Sequence, residues 1–185
     1  MNSILVETGL AGAVGTGIVF AGAGLAKLRH RELFPGVVAN YRLLPPALEA
    51  PVALLLPFVE VVLGVGLIAS GLTGGKLAWL GWPAAALFLG FAAAMAINIR
   101  RGRAHIDCGC GRSQLRQPLS WGLVVRNGVL AALAVCHAVA GAPATAPDAA
   151  GLAVALVAGL ALYLFTLLFN ALAALAASPL ASGRR

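Results

Sequence analysis

A chain of 185 residues that is 61% hydrophobic and only 10% charged lies far from the composition of soluble domains. Its net charge of +7 is not spread along a polar face. The basic residues cluster in short segments between apolar runs, where they report membrane orientation, so nucleic-acid binding is excluded and the lipid bilayer is the expected partner.

A bilayer core takes roughly 20 apolar residues in a helix. Five runs meet that length, at 4–26, 51–72, 77–99, 119–140 and 149–175. They predict an all-α integral membrane protein: one membrane domain over 1–185, with a four-helix core and a C-terminal span. The run 4–26 has no basic start and no cleavage site, so it is expected to be a span and not a signal peptide. Glu7, near its outer end, can reach the headgroups. Phe34, Val37, Val38, Tyr41 and Leu44 then recur at helical spacing, with Arg31, Glu32 and Arg42 on the other positions. They predict a short helix that either lies in the interface plane or packs as a connector. Pro45-Pro46, Gly74-Gly75, Gly102, Pro118, Pro143 and Pro147 punctuate the boundaries. Abundant Gly and Ala let the helices approach closely.

Lys27, Arg29, Arg31 and Arg42 fall between the first and second spans. Arg100, Arg101, Arg103, Arg112 and Arg116 fall between the third and fourth, and Arg184 and Arg185 end the chain. The opposite connections carry only Lys76. The positive-inside rule therefore predicts an outside N-terminus and an inside C-terminus in a bacterial inner membrane.

Two charges sit where they are expensive. Glu60 lies about 13 Å into the second span and Arg126 about 10 Å into the fourth, at 1.5 Å per residue from the basic end. An intramembrane charge normally faces a partner or a cavity. The two are thus expected to meet in a polar pocket with Asn127 and Asn98, serving either as a structural ion pair or in proton handling and substrate binding. His137 has no second histidine at its depth, which argues against haem ligation. Cys136 reads as a small buried hydrophobe.

Between the third and fourth spans, just above that level, comes Arg101-Gly-Arg-Ala-His-Ile-Asp-Cys-Gly-Cys-Gly-Arg112. Cys108 and Cys110 are two of only three cysteines in the chain. Nearby Arg103 and Arg112 lower a thiol pKa, which favours the nucleophilic thiolate, while Asp107 and His105 are placed to pass protons. Alpha carbons two residues apart can reach disulfide separation, with Gly109 and Gly111 supplying the backbone angles. The pair suits thiol–disulfide exchange better than stapling. The same residues, His105-x-x-Cys108-x-Cys110 with Asp107, also offer soft ligands for zinc, copper(I) or mercury. Inert cysteines are the third reading.

Several of these features resemble a known group. Lys27, Phe34 and Tyr41-Arg42-Leu43-Leu44-Pro45 look like the first loop of MauE/DoxX membrane proteins. Leu56-Pro57-x-x-Glu60 with Gly64, Arg101-Gly102-Arg103, Ile106-Asp107-Cys108-Gly109-Cys110-Gly111 and Arg126-Asn127 resemble the MauE family over roughly residues 10–140. The Asp-Cys-Gly-Cys-Gly stretch is its most specific part. The resemblance implies a role in maturing methylamine dehydrogenase, whose small subunit is disulfide-rich, together with a periplasmic thioredoxin-like partner. It also implies a thiol–disulfide oxidoreductase activity in which Cys108 and Cys110 cycle. A membrane quinone is the candidate terminal acceptor, although no residue pattern demonstrates a site for it, and no other cofactor or resident metal is implied.

Disulfide formation belongs outside the cytoplasm, whereas the charge pattern puts the cysteine loop inside. The expected resolution is a loop tucked into the bundle above Glu60 and Arg126, passing electrons across the membrane. A soft-metal relay and a non-catalytic scaffold for a thioredoxin-like partner are the alternatives.

Overall fold

The computed structural model describes residues 3–109, 117–141 and 147–176. These form six α-helices and one 3-10 turn: α1 (Ser3–Arg29), α2 (Phe34–Tyr41), α3 (Pro46–Leu72), the turn Ala78–Leu80, α4 (Gly81–Arg100), α5 (Trp121–Ala140) and α6 (Ala149–Ala176). Strand-like pairing among the described residues is limited to one bridge, Asp107 with Pro118. Five helices are long and apolar enough to cross a membrane, so the chain is a multi-pass membrane protein.

The helix ends differ from the hydropathy boundaries for local reasons. Helix α1 runs on to Arg29 because Lys27 and Arg29 in its last turn complement the negative end of the helix dipole. Helix α3 starts at Pro46, where a proline loses no hydrogen bond, five residues before the apolar run becomes continuous. Helix α5 starts at Trp121 because Pro118 is held in the bridge to Asp107 and Ser120 caps the helix, its Oγ accepting from Leu123 N at 3.4 Å. The short α2 begins with Pro35 in its first turn and ends at Arg42, which takes a left-handed conformation (φ 49°).

Helix α1 is the centre of the bundle. It packs along α3, α5 and α6, while α4 packs chiefly against α5. The α1–α3 approach depends on Gly17 and Gly64. A Cβ on Gly64 would lie 2.5 Å from Ala21 N and 2.7 Å from Gly17 O, and one on Gly17 would lie 2.7 Å from Gly64 O. Small residues at such crossings let backbones touch, which is how helices associate where lipid removes the hydrophobic drive. The core joins α1 to α4 through stacked rings of Phe20 and Phe88, 4.0 Å between centroids, flanked by Leu67 and Leu130. Outward faces carry exposed Leu54, Phe58 and Val62 on α3 and Leu164, Phe165 and Leu168 on α6, which suits contact with lipid.

At the end of the bundle away from the basic loops, His137 is fully buried and its Nε2 lies 2.9 Å from Ser70 Oγ. Ser70 Oγ also accepts from Leu77 N at 3.1 Å. This fastens α5 to α3 and to the turn before α4. Cys136 is half-buried near the same end of α5.

Gly64→Leu should therefore cost about 1–3 kcal/mol or more by overpacking. Thermal unfolding of the detergent-solubilised protein should show a lower Tm than Gly90→Leu, since a Cβ on Gly90 meets nothing within 4 Å. Equal Tm values for the two variants would contradict a tight α1–α3 contact.

Candidate functional site

The residues around the cysteine motif fold back on themselves. Cys108 N donates to Gln117 O at 2.9 Å and Leu119 N to Ala104 O at 2.9 Å, which closes the two arms of the loop. Asp107 Oδ1 accepts from Gly109 N at 3.1 Å, the side chain mimicking a backbone turn. Gly109 sits at φ +69°, and a Cβ there would come within 2.8 Å of Val37 Cγ1 on α2. Glycine thus meets both the left-handed turn and the close approach of α2. Ile106, Cys108 and Leu119 are buried with Met95 and Leu123 in a small apolar cluster.

Helix α2 clasps this loop. Tyr41 Oη donates to Cys108 O at 3.1 Å. Arg103 donates through Nη2 to Asn40 O at 2.7 Å and through Nη1 to Asn98 Oδ1 at 3.1 Å. The Cys108 thiol is buried, its Sγ 3.7 Å from Gln117 Oε1. Gln117 is buried as well and donates through Nε2 to Asn170 O on α6 at 3.3 Å.

Beneath the loop lies a cleft of about 1480 Å³. Cys108, Gln117, Lys27, Glu60, Arg126, Asn127 and Asn170 all line it, among mostly apolar walls that include Phe34, Phe88 and Phe91. Glu60 is gripped by Lys27, whose Nζ lies 2.6 and 2.7 Å from the two carboxylate oxygens. The side chains are 1% and 9% exposed. The ammonium also lies 5.5 Å from the Phe34 ring centroid and 5.6 Å from that of Phe91, within cation–π range.

Cys108, Glu60, Arg126 and Asn127 thus share one cavity, but not in the expected pairing. The ion pair among the described residues joins Glu60 to Lys27 instead of Arg126. The reason is the packing: α3 lies along α1, whereas Glu60 and Arg126 stand on different walls of the cleft. Arg126 Nη1 donates to Asn170 Oδ1, and Asn127 Nδ2 to Leu123 O at 2.8 Å. Asn98 is buried outside the cleft lining, where it donates to Ala94 O at 3.1 Å and supports Arg103. His105 is exposed and does not line the cleft; Asp107 is half-buried in its turn. Cys110, Arg112 and Arg116 lie outside the described residues. Among the described residues no three His, Cys, Asp or Glu side chains gather as metal ligands.

Sequence reasoning missed Gln117 and Asn170, and it took Lys27 as an orientation charge and a mark of the first loop, not as the partner of Glu60. Asn170 carried a usable signal: it is a lone amide in an apolar span, and the argument that singled out Glu60 applies to it equally. Lys27 lies one residue past the predicted span 4–26, so nothing in its position marked it as a partner.

The family model described as methylamine utilisation protein MauE matches residues 5–142. The chain is 52% identical over 121 residues to methylamine utilization protein MauE of Paracoccus denitrificans, covering 65% of this chain and 63% of that one. It is 44% identical over 117 residues to the protein of the same description in Methylorubrum extorquens, with 63% and 61% covered. Against that of Methylophilus methylotrophus it is 44% identical over 118 residues, with 64% and 58% covered. The matched stretch therefore spans about three fifths of these relatives' length. No solved structure matches the chain.

Removing one member of a buried ion pair strands the other charge, at a cost of about 3–5 kcal/mol. Lys27→Met and Glu60→Gln should each lower the Tm in detergent, and the double variant should lose less than the two single losses added. Strictly additive losses would mean that the pair is not coupled.

Proposed function

The chain belongs to the MauE family, and from that premise we propose that it is a membrane thiol–disulfide redox protein acting through Cys108 and Cys110. The observation that carries this reading is the setting of Cys108. It is buried, its backbone is pinned by Gln117 and Tyr41, and it opens onto a cleft containing a buried ion pair and a guanidinium. A cysteine kept only as a small hydrophobe needs no polar cleft beside it. Irregular backbone at membrane depth is tolerated where protein shields it and it lines a cavity, and the loop and cleft match that description.

In the proposed cycle a disulfide between Cys108 and Cys110 accepts two electrons from a dithiol of a periplasmic thioredoxin-like partner. A partner thiolate attacks one sulfur to form a mixed disulfide, and the second partner thiolate resolves it. The partner leaves as a disulfide, while Cys108 and Cys110 become thiols. A membrane quinone then takes the two electrons and two protons and leaves as quinol. The oxidised partner serves disulfide formation in a client such as the small subunit of methylamine dehydrogenase, in keeping with the methylamine utilisation named for the relatives. Asp107 shapes the turn that presents the pair, and exposed His105 stands on the solvent side of the loop as a proton carrier.

The orientation that goes with this reading puts the N-terminus outside and the C-terminus inside a bacterial inner membrane, with Cys108 sunk toward the bundle. Electrons can then pass between the cleft and an outside partner although the loop carries the charge signature of the inside face.

Cys108→Ser and Cys110→Ser should each abolish maturation of the disulfide-rich client, measured as correctly paired protein in cells that carry the variant as sole copy. Full maturation in both single variants would overturn the proposal. Alkylation of the cysteines from each side of the membrane, before and after reduction, should show reagent access that depends on redox state.

A further inference from the structure

The charge balance of the cleft is incomplete. Glu60 is matched by Lys27. Arg126, on the opposite wall, has only the neutral Asn170 as its partner, through Nη1, and among the described residues no carboxylate lies within ion-pair distance of it. Its Nε is buried with no acceptor among the described residues. A guanidinium inside a membrane protein with an unmet donor normally faces a partner or a ligand.

Resting on the thiol–disulfide reading above, we infer that the cleft is the binding site of an isoprenoid quinone, whose ring carbonyl accepts from Arg126. Three observations point to this ligand. The unmet group is a donor, so the head must offer an acceptor. The walls are apolar and aromatic, and about 1480 Å³ exceeds the range of ordinary small-molecule sites, which leaves room for a ring and the start of a prenyl tail. Finally, a chain of hydrogen bonds joins the thiol to the guanidinium: Cys108 Sγ to the Gln117 side chain, Gln117 Nε2 to the Asn170 backbone carbonyl, and Arg126 Nη1 to the Asn170 side-chain oxygen.

The step balances. The S–H bonds of Cys108 and Cys110 break and an S–S bond forms, two electrons pass to the ring, and the two protons end on its oxygens as quinol. Arg126 stabilises the negative charge that develops on the carbonyl oxygen as electrons arrive.

The test uses the full-length protein in nanodiscs, with a short-chain ubiquinone for equilibrium binding and its azido derivative for photolabelling and peptide mapping. The wild type should bind one equivalent and be labelled at residues that line the cleft. Arg126→Met should weaken binding at least tenfold. Ala94→Phe, which fills the cleft from α4 without touching the polar groups, should weaken it as well and guards against a folding defect in the first variant. Gly90→Leu, whose added side chain meets open space outside the cleft, should bind as the wild type does. Unchanged affinity in both cleft variants, labels mapped elsewhere, or a phospholipid retained in place of quinone would overturn the inference. If quinone fails to bind while the cysteine variants still abolish client maturation, this site falls and the redox reading stands. If quinone binds as described while the cysteine variants mature the client normally, the redox reading falls and the site stands.

Discussion

The buried pair between Lys27 and Glu60 is the constraint from which the rest of the site follows. Each charge would be costly alone in a bilayer-spanning bundle, and each becomes tolerable because α1 and α3 run close enough for both carboxylate oxygens to reach one ammonium. That closeness is a backbone property. It rests on Gly64, about one turn from Glu60, and Gly17, nearly three turns from Lys27, along the same interface. A buried pair need not add much net stability over apolar residues of the same shape. What it does here is set the relative register of α1 and α3, because sliding either helix by one residue would separate the charges.

With α1 and α3 fixed, the position of the cysteine loop follows from α2. This helix leaves α1, crosses the basic end and returns to α3, so its face is presented to the α4–α5 connection. Tyr41 and Arg103 join the two by hydrogen bonds, and Val37 packs against Gly109. Polar groups of the described loop residues are therefore satisfied by backbone pairing within the loop and by α2. The loop is held from above while its thiol faces down into the cleft.

Helix α6 completes the cleft and lies outside the residues matched by the family model, which end at 142. Its Asn170 is nevertheless the residue that meets both Gln117 and Arg126. The polar link from the thiol to the guanidinium thus depends on a segment whose sequence carries no family motif. A single residue achieves this because its backbone carbonyl accepts from Gln117 and its side-chain oxygen from Arg126.

Membrane insertion, the number of long helices, the short helix after the first span and the depth of Glu60 and Arg126 were legible from composition and periodicity alone. Those properties depend on local apolar length and on the price of a charge in lipid, both of which are written residue by residue. The Asp-Cys-Gly-Cys-Gly stretch likewise announced a special loop, since Gly109 and Asp107 are local turn chemistry. Which charges meet was a different kind of question. Glu60 was expected to meet Arg126, and the choice of Lys27 instead depends on which helices share a tight crossing, a contact between residues 33 positions apart. Asn98 shows the same limit: its depth was legible, but its rotation away from the cleft toward Arg103 was set by how α4 packs on α5. The sequence by itself determined that polar groups would have to be sheltered at the level beneath the cysteines. Only the tertiary structure decided the partners, because helix rotation and register are fixed by packing between distant segments and not by the local pattern of any one of them.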